Sequence, residues 1–490
     1  MVRHVSHLSP WQRYESYDWH VQSVADISNL DNLRDAIAAA KADPRPSMIK
    51  VKTIIGHGAP KQGTSKVHGA PLGAEDLATT KKGFGLDPEK SFFFADEVVS
   101  HYKSVTKRVE EGKVKHDALL KKYKTAFPDL HKQFERQLAG ELPAGLIDAL
   151  PSYNVGDATK ATRQISQAVL NEIAPALPEL IGGSADLTPS NLTALACSGD
   201  FQKDTPAGRY VRFGVREHAM AGICNGMFAY GMLRPFCATF LNFAGYALGS
   251  IRLSALSKFG VIYICTHDSI GQGEDGPTHQ PVEMLESLRS MPNINVMRPC
   301  DGNETSAAYQ VALESRETPT ILCLTRQGAP IVQGTSKANA LKGGYVCSDT
   351  EGAGDVKLIL AATGSEVNLV HEAAKVLAAA GIKTRVVSMP CQEIFDAQSA
   401  EYKAGVWLNG EVPVMSVEAA ATHGWDKYSH AQIGMERFGA SGKGAHLFEK
   451  FGFTVDNVVK QANAVVKYYE AKSVPNLLNK PVFENFVTGH

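Results

Sequence analysis

Paired cysteines, long apolar runs and an excess of charge of either sign are what this 490-residue sequence lacks. Its 50 basic residues nearly balance 51 acidic ones, so no field of one sign marks a nucleic-acid or membrane partner. Any anionic ligand must be gripped by a local cluster. No stretch approaches the roughly 20 apolar residues of a membrane span. Residues Met1 to Gln12 lack the apolar core of a signal peptide, and Val487-Thr488-Gly489-His490 is no obvious targeting address. A cytoplasmic location is the expectation. The 8 cysteines form no CxxC pair, and several sit in apolar runs such as Val261-Ile262-Tyr263-Ile264-Cys265. Buried free thiols are expected, and a disulfide framework is not.

What is present is an ordinary globular composition, 44% hydrophobic and 21% charged, long enough for two to four domains. Three regions emerge, at residues 1–145, 146–338 and 339–490. The first is uneven: a helical stretch from Leu30 to Ala42, a strand-like run from Met48 to Ile55, a Gly/His/Lys loop, then charged helices to Leu142. The second alternates short apolar runs with helical stretches, a rhythm that predicts a parallel α/β sheet with helices on both faces. Asp157 is expected to cap its first helix. In such sheets ligands bind beyond the C-terminal ends of the strands, and the polar clusters fall there. The third region repeats the style with few convergent polar residues, which reads as structural and oligomeric.

The densest polar loop runs from Thr266 to Pro281 and holds His267, His279, three acids and three glycines. Glycines allow close approach, and histidines trade protons or hold anions near neutral pH. Glu217 opens an Ala/Gly-rich helix, where a carboxylate can simply complement the helix dipole. Phe240, Phe243 and Tyr246 stand at every third position, spacing that suits either a core or a platform for a flat heterocycle.

Taken together, Gly182-Gly183-Ser184-Ala185-Asp186-Leu187-Thr188-Pro189-Ser190-Asn191, Arg216-Glu217-His218-Ala219-Met220, Phe240-Leu241-Asn242-Phe243 and the 266–281 loop resemble transketolase in order and spacing. So do Val67-His68-Gly69-Ala70-Pro71-Leu72 and Phe438-Gly439-Ala440-Ser441-Gly442. The resemblance implies a thiamine-diphosphate-binding fold: part of a pyrophosphate-binding domain, a pyrimidine-binding domain and a C-terminal transketolase domain. It implies reversible two-carbon ketol transfer between sugar phosphates, in the pentose phosphate pathway, by a homodimer. The cofactor supplies the electron sink.

By the same resemblance Glu217 donates to a pyrimidine nitrogen, which requires a protonated carboxyl and so a pKa raised by burial. Phe243, with Phe240 and Tyr246, packs on the pyrimidine, and Asp186 supports the site. His68 and His279 move protons on substrate hydroxyls, and His68 also meets the cofactor phosphates. Asp275 reads a sugar hydroxyl. Arg163, Ser190, His267 and Arg326 grip the substrate phosphate, for which guanidinium forks are suited.

The family also carries a Gly-Asp-Gly motif and an asparagine that hold the magnesium or calcium bridging the cofactor phosphates. No Gly-Asp-Gly occurs in this sequence, and His4 and His7 have no matching flanks. No metal ligand is therefore assigned, and a shortened transketolase is expected. Two other readings stay open: a non-catalytic paralogue that pairs with and modulates a full-length subunit, and a dihydroxyacetone synthase-like enzyme.

Overall fold

The apolar runs of the middle region become strands of one sheet because both of their faces are covered and neither needs a polar side. In the computed structural model, which describes residues 10–351 and 355–479, six parallel strands form this sheet. Their order is Tyr210–Arg212, Leu180–Ser184, Arg234–Phe240, Ile262–Thr266, Thr320–Leu324, Asn295–Met297. Alternate residues of each strand face opposite sides. Phe236, Ala238, Ile262 and Ile264 pack with helices Thr162–Ile173 and Gly302–Glu314. Cys237, Tyr263 and Cys265 pack instead with helices Glu217–Tyr230 and Ala244–Leu256. The register aligns the C-terminal ends on one edge: Ser184 lies opposite Arg212 and Ala238, and Thr266 lies between Phe240 and Leu324.

The first helix of this domain does not start at Asp157. Asp157 accepts the Asn154 N–H at 2.8 Å in a turn, and the helix begins at Thr162. Its start is fixed across the fold: the Thr162 N–H donates to Thr325 Oγ1 at 3.0 Å, and the Thr325 N–H to Thr162 Oγ1 at 2.7 Å. A tertiary contact thus overrides the local capping signal. The edge strand Tyr210–Arg212, only three residues long, carries too little pattern to be read beforehand.

The third region folds around five strands in the order Tyr345–Asp349, Thr384–Ser388, Leu358–Ala362, Val414–Val417, Ala431–Ile433. The first is antiparallel to its neighbour and the rest are parallel. Helix Glu366–Ala379 and the terminal helix Val455–Tyr469 share one core through Val370, Ala374, Val458 and Ala462. Contrary to its expected scarcity of convergent polar groups, this region buries Glu366 and Glu418.

The chain divides into two compact units between Lys122 and Tyr123. In the first, strands His20–Val24 and Ser47–Val51 pair in parallel around helix Leu30–Ala42, whose Asn29 cap accepts the Asp31 N–H at 3.0 Å. Ile54, Phe84, Phe92 and Phe94 are exposed there. The 31-residue helix Asp96–Ala126 has no buried residue. All 8 cysteines are free, and Cys197 alone is exposed. Among the described residues no helix is long and apolar enough to cross a membrane. Readings of residues 1–9, His4 and His7 included, and of Val487–His490 lie outside the described residues.

Candidate active site

Each strand of the six-stranded sheet hands its next residues to the same edge. Asp186 and Ser190 follow the Leu180 strand, Glu217 the Tyr210 strand and Phe243 the Arg234 strand; His267 to His279 follow the Ile262 strand and Arg326 the Thr320 strand. Arg163 reaches that edge because Thr162 is tied to Thr325. Its Nη1 donates to the Ser190 carbonyl at 2.5 Å, while its Nε is buried without a partner. A buried donor lacking an acceptor is costly unless a ligand supplies one.

His267 is 4% exposed and stacks on Phe240 with ring centroids 3.8 Å apart. Burial, then the charges of Arg163, Arg326 and His279, lower its pKa to about 3. Arg163, Arg326 and His279 therefore stand close enough to the buried His267 ring for their charges to be felt there. Burial and the Arg326 charge also lower the pKa of Arg163. Asn191 Nδ2 donates to Thr266 Oγ1 at 2.7 Å, and that hydroxyl contacts His267 Nδ1 at 2.8 Å. With its oxygen occupied by Asn191, Thr266 can give its proton to Nδ1, the tautomer that leaves an Nε2–H for an anion.

This depressed pKa has a testable consequence. His267 contributes stability that is present above its ordinary pKa of 6.5 and is lost as pH falls through about 3. Its ring resonances in an NMR titration should therefore stay those of a neutral imidazole from pH 7 to 4. A transition near 6.5 would contradict the packing described.

The aromatic platform is partly formed. Phe240 and Phe243 stack at 5.6 Å, His279 meets Phe243 edge-on at 5.0 Å, and Tyr246 lies 6.1 Å from Phe243 but is 70% exposed. Asn242 Nδ2 donates to the Thr278 carbonyl at 2.5 Å, pinning the aromatic turn to the histidine loop. The Thr278 hydroxyl engages His279 Nδ1 at 2.9 Å and leaves Nε2 free for exchange. Glu217 is buried at the first position of its helix, whereas Asp186 and Asp275 are exposed. Asp275 accepts a hydrogen bond from Gln272. His68 caps a short turn, Ser65–Val67, in the first unit and is exposed.

Thr266 and Gln280 escaped sequence reasoning, since neither residue type announces a role. Gln280 donates to the Gly273 and Ala440 carbonyls at 3.0 Å and accepts the Ala440 N–H at 3.0 Å. That contact explains the Phe438–Gly442 motif: a Cβ on Gly439 would stand 1.7 Å from Gln280 Oε1.

The residues present fit one half of the implied cofactor. A buried carboxyl and two stacked phenylalanines on one sheet edge suit a flat aminopyrimidine with ring nitrogens. They do not fit the metal. Among the described residues no group of three or more His, Cys, Asp or Glu could hold an ion, and a divalent cation needs several oxygen ligands.

A parallel α/β domain that gathers an aromatic pair, a buried carboxyl and buried polar side chains beyond the C-terminal ends of its strands has the form of a cofactor-binding enzyme domain. Three family domains match in series: the transketolase thiamine diphosphate binding domain at 5–143, the pyrimidine binding domain at 158–331 and the transketolase-like C-terminal domain at 343–454. The chain belongs to the transketolase family and carries its transferase function, with thiamine diphosphate as cofactor. It is 48% identical to a transketolase of Kluyveromyces lactis over 96% of this chain and 70% of that one. A transketolase structure from Pichia stipitis in complex with sedoheptulose-7-phosphate superposes with a TM-score of 0.93 at 46% identity, covering 98% of this chain and 71% of that one. The Leishmania mexicana enzyme gives 0.91 at 46%, over 96% and 70%.

Proposed function

We propose that the chain transfers a two-carbon ketol unit between sugar phosphates, as part of pentose phosphate metabolism in the cytoplasm. The observation that carries this reading is the closeness of Arg163, Arg326 and His279 to the buried His267, with His279 beside the aromatic platform. Bound thiamine diphosphate supplies the electron sink for the ketose carbonyl. Glu217 would hold a pyrimidine nitrogen, and Phe243, with Phe240 and Tyr246, would pack on the ring. Asp186 supports the cofactor loop. His279 moves a proton at a substrate hydroxyl through Nε2, and Asp275 accepts from another hydroxyl. Arg163, Arg326, His267 and the Ser190 segment bind the phosphate. Residues 1–145 serve as a partial pyrophosphate-binding domain with a helical linker, 146–338 as the pyrimidine-binding domain and 339–490 as the C-terminal domain. The described residues provide no carboxylate or histidine cluster for magnesium or calcium.

Calorimetric titration with thiamine diphosphate, with and without magnesium, followed by a ketol-transfer assay with xylulose 5-phosphate and ribose 5-phosphate, tests this. Binding with turnover supports it. Absence of both from a folded chain rejects it and leaves a partner of a longer transketolase subunit. The relatives named above are transketolases, which favours that reading over a dihydroxyacetone synthase.

A dimer belongs to the same reading. Ile223, Tyr230, Tyr246, Leu253 and Leu256 are exposed on the helix pair Glu217–Tyr230 and Ala244–Leu256. These helices also carry Glu217 and Tyr246, so a second copy seated there would border the cofactor site. Sedimentation should give a dimer, and Leu253→Glu should shift it toward monomer by at least about tenfold in Kd, since a charge would be buried unpaired.

A further inference from the structure

Two of the four residues proposed to grip phosphate are followed by a residue tied to the C-terminal domain, one through Arg298 of its own domain and one directly. His267 precedes Asp268, and Arg326 precedes Gln327. Asp268 Oδ2 accepts from Arg298 Nε at 2.9 Å, and both side chains are fully buried. From there Arg298 Nη1 donates to Thr363 Oγ1 at 2.8 Å and to Glu366 Oε2 at 2.5 Å. Gln327 Nε2 reaches the same turn, donating to Ser365 Oγ at 3.1 Å, and Ser365 Oγ donates to Glu366 Oε1 at 2.6 Å. The turn is shaped for this contact: Gly364 has φ +54, and a Cβ there would stand 2.8 Å from the Arg298 guanidinium carbon. The Gly364 N–H also donates to the Arg298 carbonyl at 3.1 Å.

His267 itself has φ +61, a left-handed backbone that a non-glycine residue holds only when its surroundings enforce it. The enforcing contacts lie on either side, Thr266 through Asn191 and Asp268 through Arg298.

We propose that the Thr363–Glu366 turn of the C-terminal domain positions the phosphate-gripping residues, acting through Arg298 and Asp268 on His267 and through Gln327 on Arg326. The inference rests on the phosphate reading of Arg163, His267 and Arg326 given above. Ser365, Glu366 and Arg298 are positioning residues, acting through Asp268 and Gln327. Their work is to set donor directions to which a phosphate is sensitive and a free sugar is not.

Calorimetric titration of the full chain with xylulose 5-phosphate, and with non-phosphorylated xylulose, separates the possibilities. Ser365→Ala and Glu366→Gln should each raise the Kd for xylulose 5-phosphate about three- to tenfold. The small affinity for xylulose should change less than about twofold, and Ser365→Thr, which keeps the hydroxyl, should restore the wild-type value. Arg326→Ala is the control, with a loss of about tenfold or more expected. If Arg326→Ala weakens binding and the turn variants do not, this inference falls and the phosphate reading stands. If Arg326→Ala has no effect, the phosphate reading falls and the inference with it. A lower melting temperature with equal loss for both sugars marks a purely structural turn and overturns the proposal. Should Glu366→Gln fail to fold, the Ser365 pair decides.

Discussion

Replacing Glu217 with alanine should lower ketol-transfer turnover by about 10²–10⁴-fold, the range for removal of a group that controls proton position in a reaction. The carboxyl is buried at the first position of helix Glu217–Tyr230, on the sheet edge that also presents Phe240 and His267. A group there can act on a bound ring without competition from water. Glu217→Gln keeps a donor of similar length and should retain more turnover than Glu217→Ala. Its affinity for thiamine diphosphate, followed by calorimetry, should lie within about tenfold of wild type, because one hydrogen bond carries only part of the binding. If the two variants lose turnover equally, donation to a ring nitrogen is not what Glu217 provides. If neither loses it, the assignment is wrong.

Arg298→Met should destabilise the chain by about 3–5 kcal/mol, the usual cost of removing one partner from a buried ionic cluster. Asp268, Glu366 and Glu418 surround the guanidinium at 2.9, 2.5 and 3.8 Å, and all are essentially inaccessible. Arg289 still pairs bidentately with Glu418 at 2.8 Å after the change, so Asp268 and Glu366 bear the loss. Thermal unfolding at several pH values checks both size and cause. Burial raises the pKa of Asp268 from 3.8 to about 6, although Arg298 opposes the shift. A folded-state pKa above the unfolded one favours folding most below 3.8, and that advantage is lost as pH rises through 6. Without Arg298 the folded-state value climbs further, so the variant's deficit should shrink between pH 7.5 and 5. Glu418 behaves oppositely. Burial alone would raise its pKa, but Arg289 and Arg298 bring it to about 2, so its contribution holds above 4.5 and is lost only as pH falls through 2. A deficit unchanged between pH 7.5 and 5 would locate the cost in lost packing and not in the stranded carboxylates.

Long periodic segments were legible in advance, short ones were not. Helix Leu30–Ala42 occurs where its pattern begins and ends, since it carries its own signal along 13 residues. The three-residue strands Tyr210–Arg212 and Ala431–Ile433 hold too few residues for a period to show. The Asp157 cap failed because Thr162 found a stronger partner in Thr325, 163 residues away. Among site residues, Glu217, His267 and Arg326 carry chemistry in their side-chain type. Gln327, Thr363 and Ser365 do not, and they acquire meaning only from what they touch.

By itself, then, the order of motifs along the chain determined the family and the cofactor class. The pleat of each strand determined that successive apolar residues face opposite sides of the sheet, because side-chain direction along a strand has a period of two. The tertiary structure alone decided that an arginine of the second region and a tight turn of the third share one buried charge cluster. It also decided that this cluster stands directly behind His267. Such contacts are set by distances between residues far apart in sequence. Electrostatic energy depends on those distances and on exclusion of water, neither of which is written in any single segment.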